Sequence, residues 1–380
     1  MIRCPHCKQV ESINRAGIVR GKQRYFCKAC QVHFSFPNEV HTPSLRPHQV
    51  TIVDIAEQLG ISKSTVSRAL RGQSDIHPGT RQAVLDVANQ LDYQPNQLAH
   101  SLVKSRTNTV GMLVPEFLSS FFPKVIMSAQ QVLVEAGYNV VICQSGESYE
   151  TEVANARTLL ANRVDGLMVS HTKETRNFDH LRTFQRKGIP VVFFNRVCED
   201  MTVPNVTVDD YRGAFVAVEH LIQTGRRRIA HLAGPDSLPN SRNRLNGYHD
   251  ALLHYGLPVD NELIISYDLT LEKVNIYVNH LLNLPHPPDA LFAMNDPAAI
   301  EALRVCRSRG IRVPAELAIV GFSDDPVSEL VEPSLTTVAQ PMAEIGRETA
   351  RLLLNALHGP VSDVPEQVML PTQLIVRRSS

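Results

Sequence analysis

The sequence predicts a multidomain chain: a small cysteine-held ribbon, an all-α helix-turn-helix unit, and an α/β domain of two lobes built on parallel sheets. Three observations carry this. Two CxxC pairs stand in the first 30 residues, and glycine-punctuated helical periods follow between residues 51 and 91. From residue 109 onward, short apolar runs alternate with amphipathic stretches, the pattern of parallel strands joined by right-handed helical crossovers.

Length and charge set the frame. A chain of 380 residues with 43% apolar side chains can bury more than one core. Its zero net charge hides an asymmetry: residues 1–108 carry 14 Lys and Arg against 7 Asp and Glu, whereas residues 109–380 carry 24 against 31. A basic head on an acidic body points to a polyanionic partner at the N-terminal side. No apolar run marks a secretory signal or approaches the ~20 residues of a membrane span, so the expected compartment is the cytoplasm and no membrane partner is expected. In that compartment the seven cysteines do not form a disulfide framework. Cys143, Cys198 and Cys306 stand singly in apolar surroundings and read as small core residues.

The ribbon spans 1–37. Cys4-Pro5-His6-Cys7 and Cys27-Lys28-Ala29-Cys30 are separated by 19 residues, enough for a β-hairpin that brings the pairs together. Zinc takes four tetrahedral thiolates, and a CxxC turn supplies two at once, so Cys4, Cys7, Cys27 and Cys30 are expected to hold one structural zinc ion. His6 and His33 are then bystanders. Without the metal so small a segment has no core of its own. The first knuckle, the Gly21-Lys-Gln-Arg-Tyr-x-Cys27 approach and the tail Phe34-Ser-Phe36 resemble the zinc ribbons of insertion-element transposition proteins, which implies association with DNA. Residues 1–49 carry eight basic and two acidic side chains, suited to phosphates; a protein-docking role stands beside that reading. Residues 38–49, with two prolines and no apolar period, read as a linker.

Residues 50–95 read as three helices. Thr51 caps a first helix with Ile52, Ile55, Ala56 and Leu59 on one face, and Gly60 ends it. Ser62 caps a second, running from Lys63 to Leu70 with Val66 and Leu70 inward, and Gly72 closes it. Pro78 opens a third, with Val84, Leu85, Ala88 and Leu91 on one face. Two short helices, a tight turn and a supporting helix form helix-turn-helix geometry. The second helix offers Lys63, Ser64, Thr65, Ser67 and Arg68, short or basic side chains fitted to base edges and phosphates.

At Val50–Leu70 and again at Tyr93-Gln-Pro-Asn-Gln-Leu-Ala-His-Ser-Leu102, the chain resembles the lactose/galactose-repressor family. The resemblance implies that Lys63, Ser64 and Arg68 read the major groove, with Thr51 and Ser62 among the DNA-facing residues. It implies that residues 96–108 hold a hinge helix and linker. Within it Asn96 and Ala99 accompany Leu102, which wedges into the minor groove at the centre of a palindromic operator. His100 departs from the arginine frequent there. For Leu102, a plain core role is the alternative.

In residues 109–380 the apolar runs are Thr109–Val114, Asn139–Cys143, Gly166–Val169, Pro190–Phe194, Arg228–Leu232, Leu263–Ser266, Ala290–Met294 and Leu317–Gly321. Helical patterns between them include Lys124–Glu135, Glu150–Ala161, Ala214–Gln223, Asn243–Leu253 and Pro297–Arg309. Ligands of such sheets sit beyond the strands' carboxyl ends, and some 270 residues suit two lobes around a cleft. Arg163-Val-Asp-Gly-Leu167, Arg242-x-Arg244-x-x-Gly247-Tyr248, Ala293-Met-Asn-Asp296 and Gly321-Phe-Ser-Asp-Asp325 extend the same family resemblance, which implies a periplasmic-binding-protein-like, effector-binding and dimerising domain.

The resemblance also implies effector positions. Phe121 and Phe122 wall the ligand, Asn195 ends a strand at the cleft, Arg242 grips hydroxyls or carboxylates, Asp296 accepts from hydroxyls, and Asp209 and Asn240 lie beside them. The alternatives are core packing for the two phenylalanines, structural ion pairs for Arg242 and Asp296, and a helix N-cap for Asp209. A sugar or sugar acid is the implied small-molecule effector. Leu370–Arg377 resembles the family's final strand and no leucine heptad follows, so a homodimer on double-stranded DNA is the expected assembly. No P-loop, G-x-S-x-G elbow or H-E-x-x-H motif appears, and the neighbouring carboxylates Asp209-Asp210 and Asp324-Asp325 are expected to diverge, so no enzyme is read here. The expected function is a transcriptional regulator, in the first instance a repressor, with activator or corepressor-dependent action as the alternative.

Overall fold

The computed structural model describes residues 3–19, 22–35, 50–94, 106–359 and 364–380. The chain divides into two compact units, Met1–Gln97 and Leu98–Ser380. The expected linker 38–49 and the hinge positions Asn96, Ala99, His100 and Leu102 lie outside the described residues.

In the first unit, β1 (Ile13–Val19), β2 (Lys22–Cys27) and β3 (Val32–Phe34) form an antiparallel sheet in that order. The hairpin does what the cysteine spacing demands, since it returns the chain from the first CxxC pair to the second. Three helices follow in the sequence: α1 (Ile52–Leu59), α2 (Lys63–Leu70) and α3 (Pro78–Gln90). Thr51 and Asp54 form a capping box on α1, and Gly60 ends it in the left-handed conformation, φ 63°. Ile55, Ala56, Val66, Ala69, Val84, Val87 and Ala88 make the common core. Leu70 and Leu91, expected inside, are half-buried at its margin, Leu85 is half-buried, and Val87 takes a core place instead.

The second unit has two six-stranded sheets. The first contains β4 (Thr109–Val114), β5 (Asn139–Gln144), β6 (Gly166–Val169), β7 (Val191–Phe194), β8 (Asn205–Val208) and β14 (Gln367–Leu370). All of its pairings are parallel, in the order β14-β8-β7-β6-β4-β5. The second contains β9 (Ile229–Ala233), β10 (Ile264–Ser266), β11 (Ala290–Ala293), β12 (Ala318–Ser323), β13 (Thr336–Ala339) and β15 (Gln373–Ile375). Its order is β10-β9-β11-β12-β13-β15, parallel except for the antiparallel edge pair β13–β15. Each sheet is covered on both faces by its own apolar clusters, as parallel sheets require. The chain passes from one sheet to the other three times: after β8, after β13 and after β14.

Eight expected strands are present, with ends within two residues of the apolar runs. β8, β13 and β14 have no such run. Thr336 and Thr337 in β13 are fully buried polar residues, so a polar stretch forms an interior strand. Helices begin earlier than their apolar periods: α4 runs Phe121–Glu135, α7 Asp210–Gln223 and α8 Pro239–His254. Two helix pairs approach through glycine. A Cβ on Gly247 of α8 would run into the Tyr211 carbonyl of α7, and one on Gly346 would run into the Val125 carbonyl of α4.

A histidine sits in the core of the second lobe. His231 of β9 is fully buried, its ring stacked 4.7 Å from Phe292 and 5.1 Å from Tyr248, with Nδ1 2.9 Å from the Phe292 carbonyl oxygen. Burial pushes its pKa down from 6.5 to about 4. The folded state therefore resists a proton that the unfolded state accepts. Its stabilising contribution is fully present above pH 6.5 and is lost as pH falls toward 4. Urea unfolding between pH 7 and 4 should show stability falling by up to roughly 1.4 kcal/mol per pH unit from this group, and His231→Phe should flatten that slope.

Candidate nucleic-acid interface and effector cleft

The residues expected to read DNA lie on α2. Lys63, Ser64 and Arg68 are exposed, while Thr65 and Ser67 are half-buried. Thr51 and Ser62 are committed to caps: Thr51 accepts from Val53 N at 3.2 Å, and Ser62 accepts from Thr65 N at 3.1 Å. Their hydroxyls therefore order the helix ends that flank the reading helix. Arg68 Nη1 lies 2.6 Å from Asp75 Oδ2 in an exposed pair, which is worth little in water and gives way readily to a base or phosphate. Arg71 also belongs to this face: its guanidinium donates to the Ser67 hydroxyl at 2.7 Å and to the Ser67 carbonyl at 3.1 Å. The basic residue just beyond the helix was the available sequence signal.

In the ribbon, the sulfurs of Cys4, Cys7, Cys27 and Cys30 all lie within 4.8 Å of one another. Cys4 Sγ is 3.6 Å from Cys30 Sγ and Cys7 Sγ is 3.5 Å from Cys27 Sγ. Their titrations split apart. The Cys7 and His6 backbone amides help draw the Cys4 thiol down to about 6, against burial, whereas burial and the neighbouring sulfurs push Cys30 up to about 12. Four crowded sulfurs cannot all carry charge without a cation among them.

The lobes of the second unit meet at the carboxyl ends of their strands, where a parallel sheet gathers its loops. Ser120, after β4, donates its amide to Asp325 Oδ2, after β12, at 3.0 Å. Lys173, after β6, reaches the Asp268 carbonyl after β10, and Ser237 donates back to the Lys173 carbonyl at 2.9 Å. Asn195 and Asn240 come together here, Nδ2 of Asn240 lying 3.4 Å from Oδ1 of Asn195. Asn195 holds a left-handed backbone, φ 59°, at the end of β7. Asn240 sits in the first turn of α8, which Pro239 starts. Its Oδ1 is buried without a partner, as is Ser170 Oγ at the end of β6.

Other expected positions have different surroundings. Phe121 and Phe122 are buried among the apolar residues of the first lobe, with Phe122 edge-on to Phe194. Asp209 caps α7, accepting from Arg212 N at 2.8 Å. Arg242 joins the lobes through Glu199 and also donates to the Asp236 carbonyl at 2.8 Å. Asp296 is fully buried and burial raises its pKa. It accepts from Ser328 Oγ at 2.7 Å, Asp325 N at 2.7 Å and Thr337 Oγ1 at 2.5 Å, so its partners are donors of the chain rather than a cation.

Two ion pairs at the strand ends were not anticipated, Arg244–Asp210 fully buried and Arg196–Glu147 largely so. Arg196 grips Glu147 with two nitrogens, at 2.8 and 2.9 Å. Burial acts to raise the Glu147 carboxyl, but Arg196 and the Lys173 amide hold it below the usual range. Arg244 donates twice to Asp210 Oδ1, at 2.8 and 2.7 Å, donates to the Met294 carbonyl, and lies 3.6 Å over the Phe322 ring. The adjacent carboxylates diverge: Asp209 caps while Asp210 pairs, and Asp324 meets Arg377 while Asp325 turns to Ser120.

A three-helix DNA reader in the same chain as a two-lobed cleft defines a one-component transcription regulator. Residues 51–96 match the model for bacterial regulatory proteins of the lacI family, and residues 218–380 match the periplasmic binding protein-like domain. Catabolite control protein A of Priestia megaterium is 31% identical over 332 residues, 87% of this chain and 99% of that protein. The HTH-type transcriptional regulator CelR of Thermobifida fusca is 34% identical over 342 residues, 88% of this chain and 99% of that protein. A CelR–cellobiose complex aligns with TM-score 0.68 at 32% identity, covering 87% of this chain and all of that one. The lac repressor dimer bound to operator and an anti-inducer aligns with TM-score 0.77 at 26% identity, over 87% of this chain and 98% of that one. The chain belongs to the lacI family of bacterial transcription regulators.

Loss of Arg244 leaves Asp210 buried and unpaired. Arg244→Ala should therefore destabilise the second unit by about 3–5 kcal/mol, and replacing both partners with apolar residues of similar volume should recover most of it; urea unfolding measures both.

Proposed function

We propose that the protein represses transcription as a homodimer on a palindromic operator, and that an uncharged sugar held between the lobes switches it. The observation that carries this reading is the pairing, in one chain, of an α2 face offering Lys63, Ser64 and Arg68 with polar side chains converging from two lobes. The operator places its work in the cytoplasm, and its part there is binding rather than catalysis. CelR is solved with cellobiose and the lac repressor as a dimer on its operator, which supports the ligand class and the assembly.

The charge state of the effector is argued from the cleft. Arg196, Arg242 and Arg244 each hold a carboxylate of the chain itself. An acidic ligand held by one of these arginines would have to break its pair and leave the protein carboxylate unpartnered, which is costly at the two most buried ones, Arg196 and Arg244. Hydroxyls instead satisfy the orphaned oxygens of Asn240 and Ser170. Ligand exchange acts on the bonds between lobes, and a coupling of ~1–3 kcal/mol is the usual size for such a switch.

The test is operator affinity, by fluorescence anisotropy on a palindrome recovered by selection with the purified full chain. One neutral mono- or disaccharide of a panel should shift Kd about 5- to 150-fold, and the matching uronic acids and sugar phosphates should not. A response confined to the acids would overturn the neutral assignment. On the same fragment, Arg68→Ala should cost about 1–3 kcal/mol against the operator and much less against random DNA.

A further inference from the structure

We propose that the four ribbon cysteines hold one structural zinc ion, and that the metal-held ribbon is a second, sequence-independent DNA contact beside the helix-turn-helix. The DNA part rests on the regulator reading above; the metal part stands alone.

The sulfur geometry points to zinc. Zn–S bonds of about 2.3 Å in a tetrahedron put sulfurs about 3.8 Å apart; Cys7–Cys27 and Cys4–Cys30 are 3.5 and 3.6 Å apart, and all four sulfurs lie within 4.8 Å of one another. These distances are far beyond a disulfide, which is about 2.05 Å, and all four thiols are free. The two knuckles repeat one local design. In each, the residue after the second cysteine takes a left-handed backbone: Lys8 at φ 62° and Gln31 at φ 54°. In the first, Lys8 N donates to the Cys4 carbonyl at 2.9 Å and Cys4 N donates to Gln9 O at 3.0 Å, which closes the turn around the sulfurs. Among the ribbon side chains whose burial is described, Cys4 and Cys27 are the buried apolar ones, and Val10, Ile13, Tyr25, Phe26, Val32 and Phe34 are half-buried. With no apolar core of its own, a segment of this size takes its folding energy from the metal.

The charge on the ribbon points to nucleic acid. Residues 1–37 contain seven Lys and Arg and one acidic residue, Glu11. Zn²⁺ with four thiolates contributes −2, which this excess outweighs. Arg3, Lys8, Arg15 and Lys28 are exposed. Residues 38–49 span at most about 40 Å by covalent geometry, more than one turn of B-DNA at roughly 34 Å. That reach allows the ribbon to touch phosphates flanking the half-site that α2 reads. The similar regulators cover 87–88% of this chain, and the rest is about the length of ribbon plus linker, so this contact is an addition to the shared architecture.

The experiment uses the full chain in two arms. Metal analysis of protein purified without added chelator should return one zinc per chain, and Cys4→Ser with Cys30→Ser should remove it; zinc-free protein, or zinc retained by that variant, overturns the site. DNA binding is read on a random-sequence 50-bp duplex across a salt series, comparing the wild type with Arg15→Glu/Lys28→Glu. That variant leaves the thiols intact and should keep its zinc. It should bind random duplex at least tenfold more weakly near 0.1 M salt, with the slope of log K against log salt shallower by about 2. Equal affinity and slope with zinc retained overturns the DNA contact and assigns the ribbon to protein docking. Recovery of a palindrome by the wild type is scored separately, so failure of the regulator reading and failure of the ribbon contact give different results.

Discussion

A parallel sheet delivers the carboxyl end of every strand to the same edge, and the second unit rests on that constraint twice. Each lobe gathers its ligand-facing loops on one side because its crossovers are helical and share one hand. The three chain crossings hold the two loop-bearing edges face to face. Asp209 and Asp210 sit at the first crossing, one capping α7 and the other pairing with Arg244. The chain therefore spends its polar residues at the junction and its apolar ones on the sheet faces.

The energetics divide along the same line. Within lobes, charges are buried and fully engaged: Glu147 with Arg196, Asp210 with Arg244, and Glu152 with His180, Thr172 and Thr175. Breaking these costs several kcal/mol because an unpaired charge is left inside. Between lobes the links are single hydrogen bonds, Ser120 to Asp325, Lys173 to the Asp268 carbonyl, Ser237 to the Lys173 carbonyl and Asn240 to Asn195, with the solvent-exposed Arg242–Glu199 pair, and none is a buried ion pair. Rigid lobes joined by modest bonds are the mechanical requirement for a switch whose coupling is only a few kcal/mol.

The N-terminal unit reaches order by other means. The three helices share a small core of alanine, valine and isoleucine, and their ends are fastened by Thr51, Ser62 and Gly60. Capping contributes about 1 kcal/mol per site, a large share for helices of eight residues. The ribbon has a sheet of three strands and sulfurs where a core would be. Both solutions leave basic side chains exposed, among them Arg3, Arg15, Lys28, Lys63 and Arg68.

Local grammar was legible in the sequence alone. The CxxC spacing, the caps, the turn glycines and eight of the strands depend on a few neighbouring residues, and residue chemistry fixes them. The tertiary structure decided which polar side chains face the cleft. Arg242 and Arg244 are two residues apart on α8, about 200° around the helix, so helix phase alone turns Arg244 inward and leaves Arg242 39% exposed. That phase is set by the close approach of Gly247 to α7. Asp296 is likewise an acceptor for Thr337, Ser328 and Asp325 only because α10 (Asp296–Ser308), β13 and the segment after β12 converge there. Thr336 and Thr337 form a buried strand because distant donors and acceptors satisfy their hydroxyls. A linear pattern carries periodicity and local turns. The partners of buried polar groups come from residues far away in the chain, and only packing brings them together.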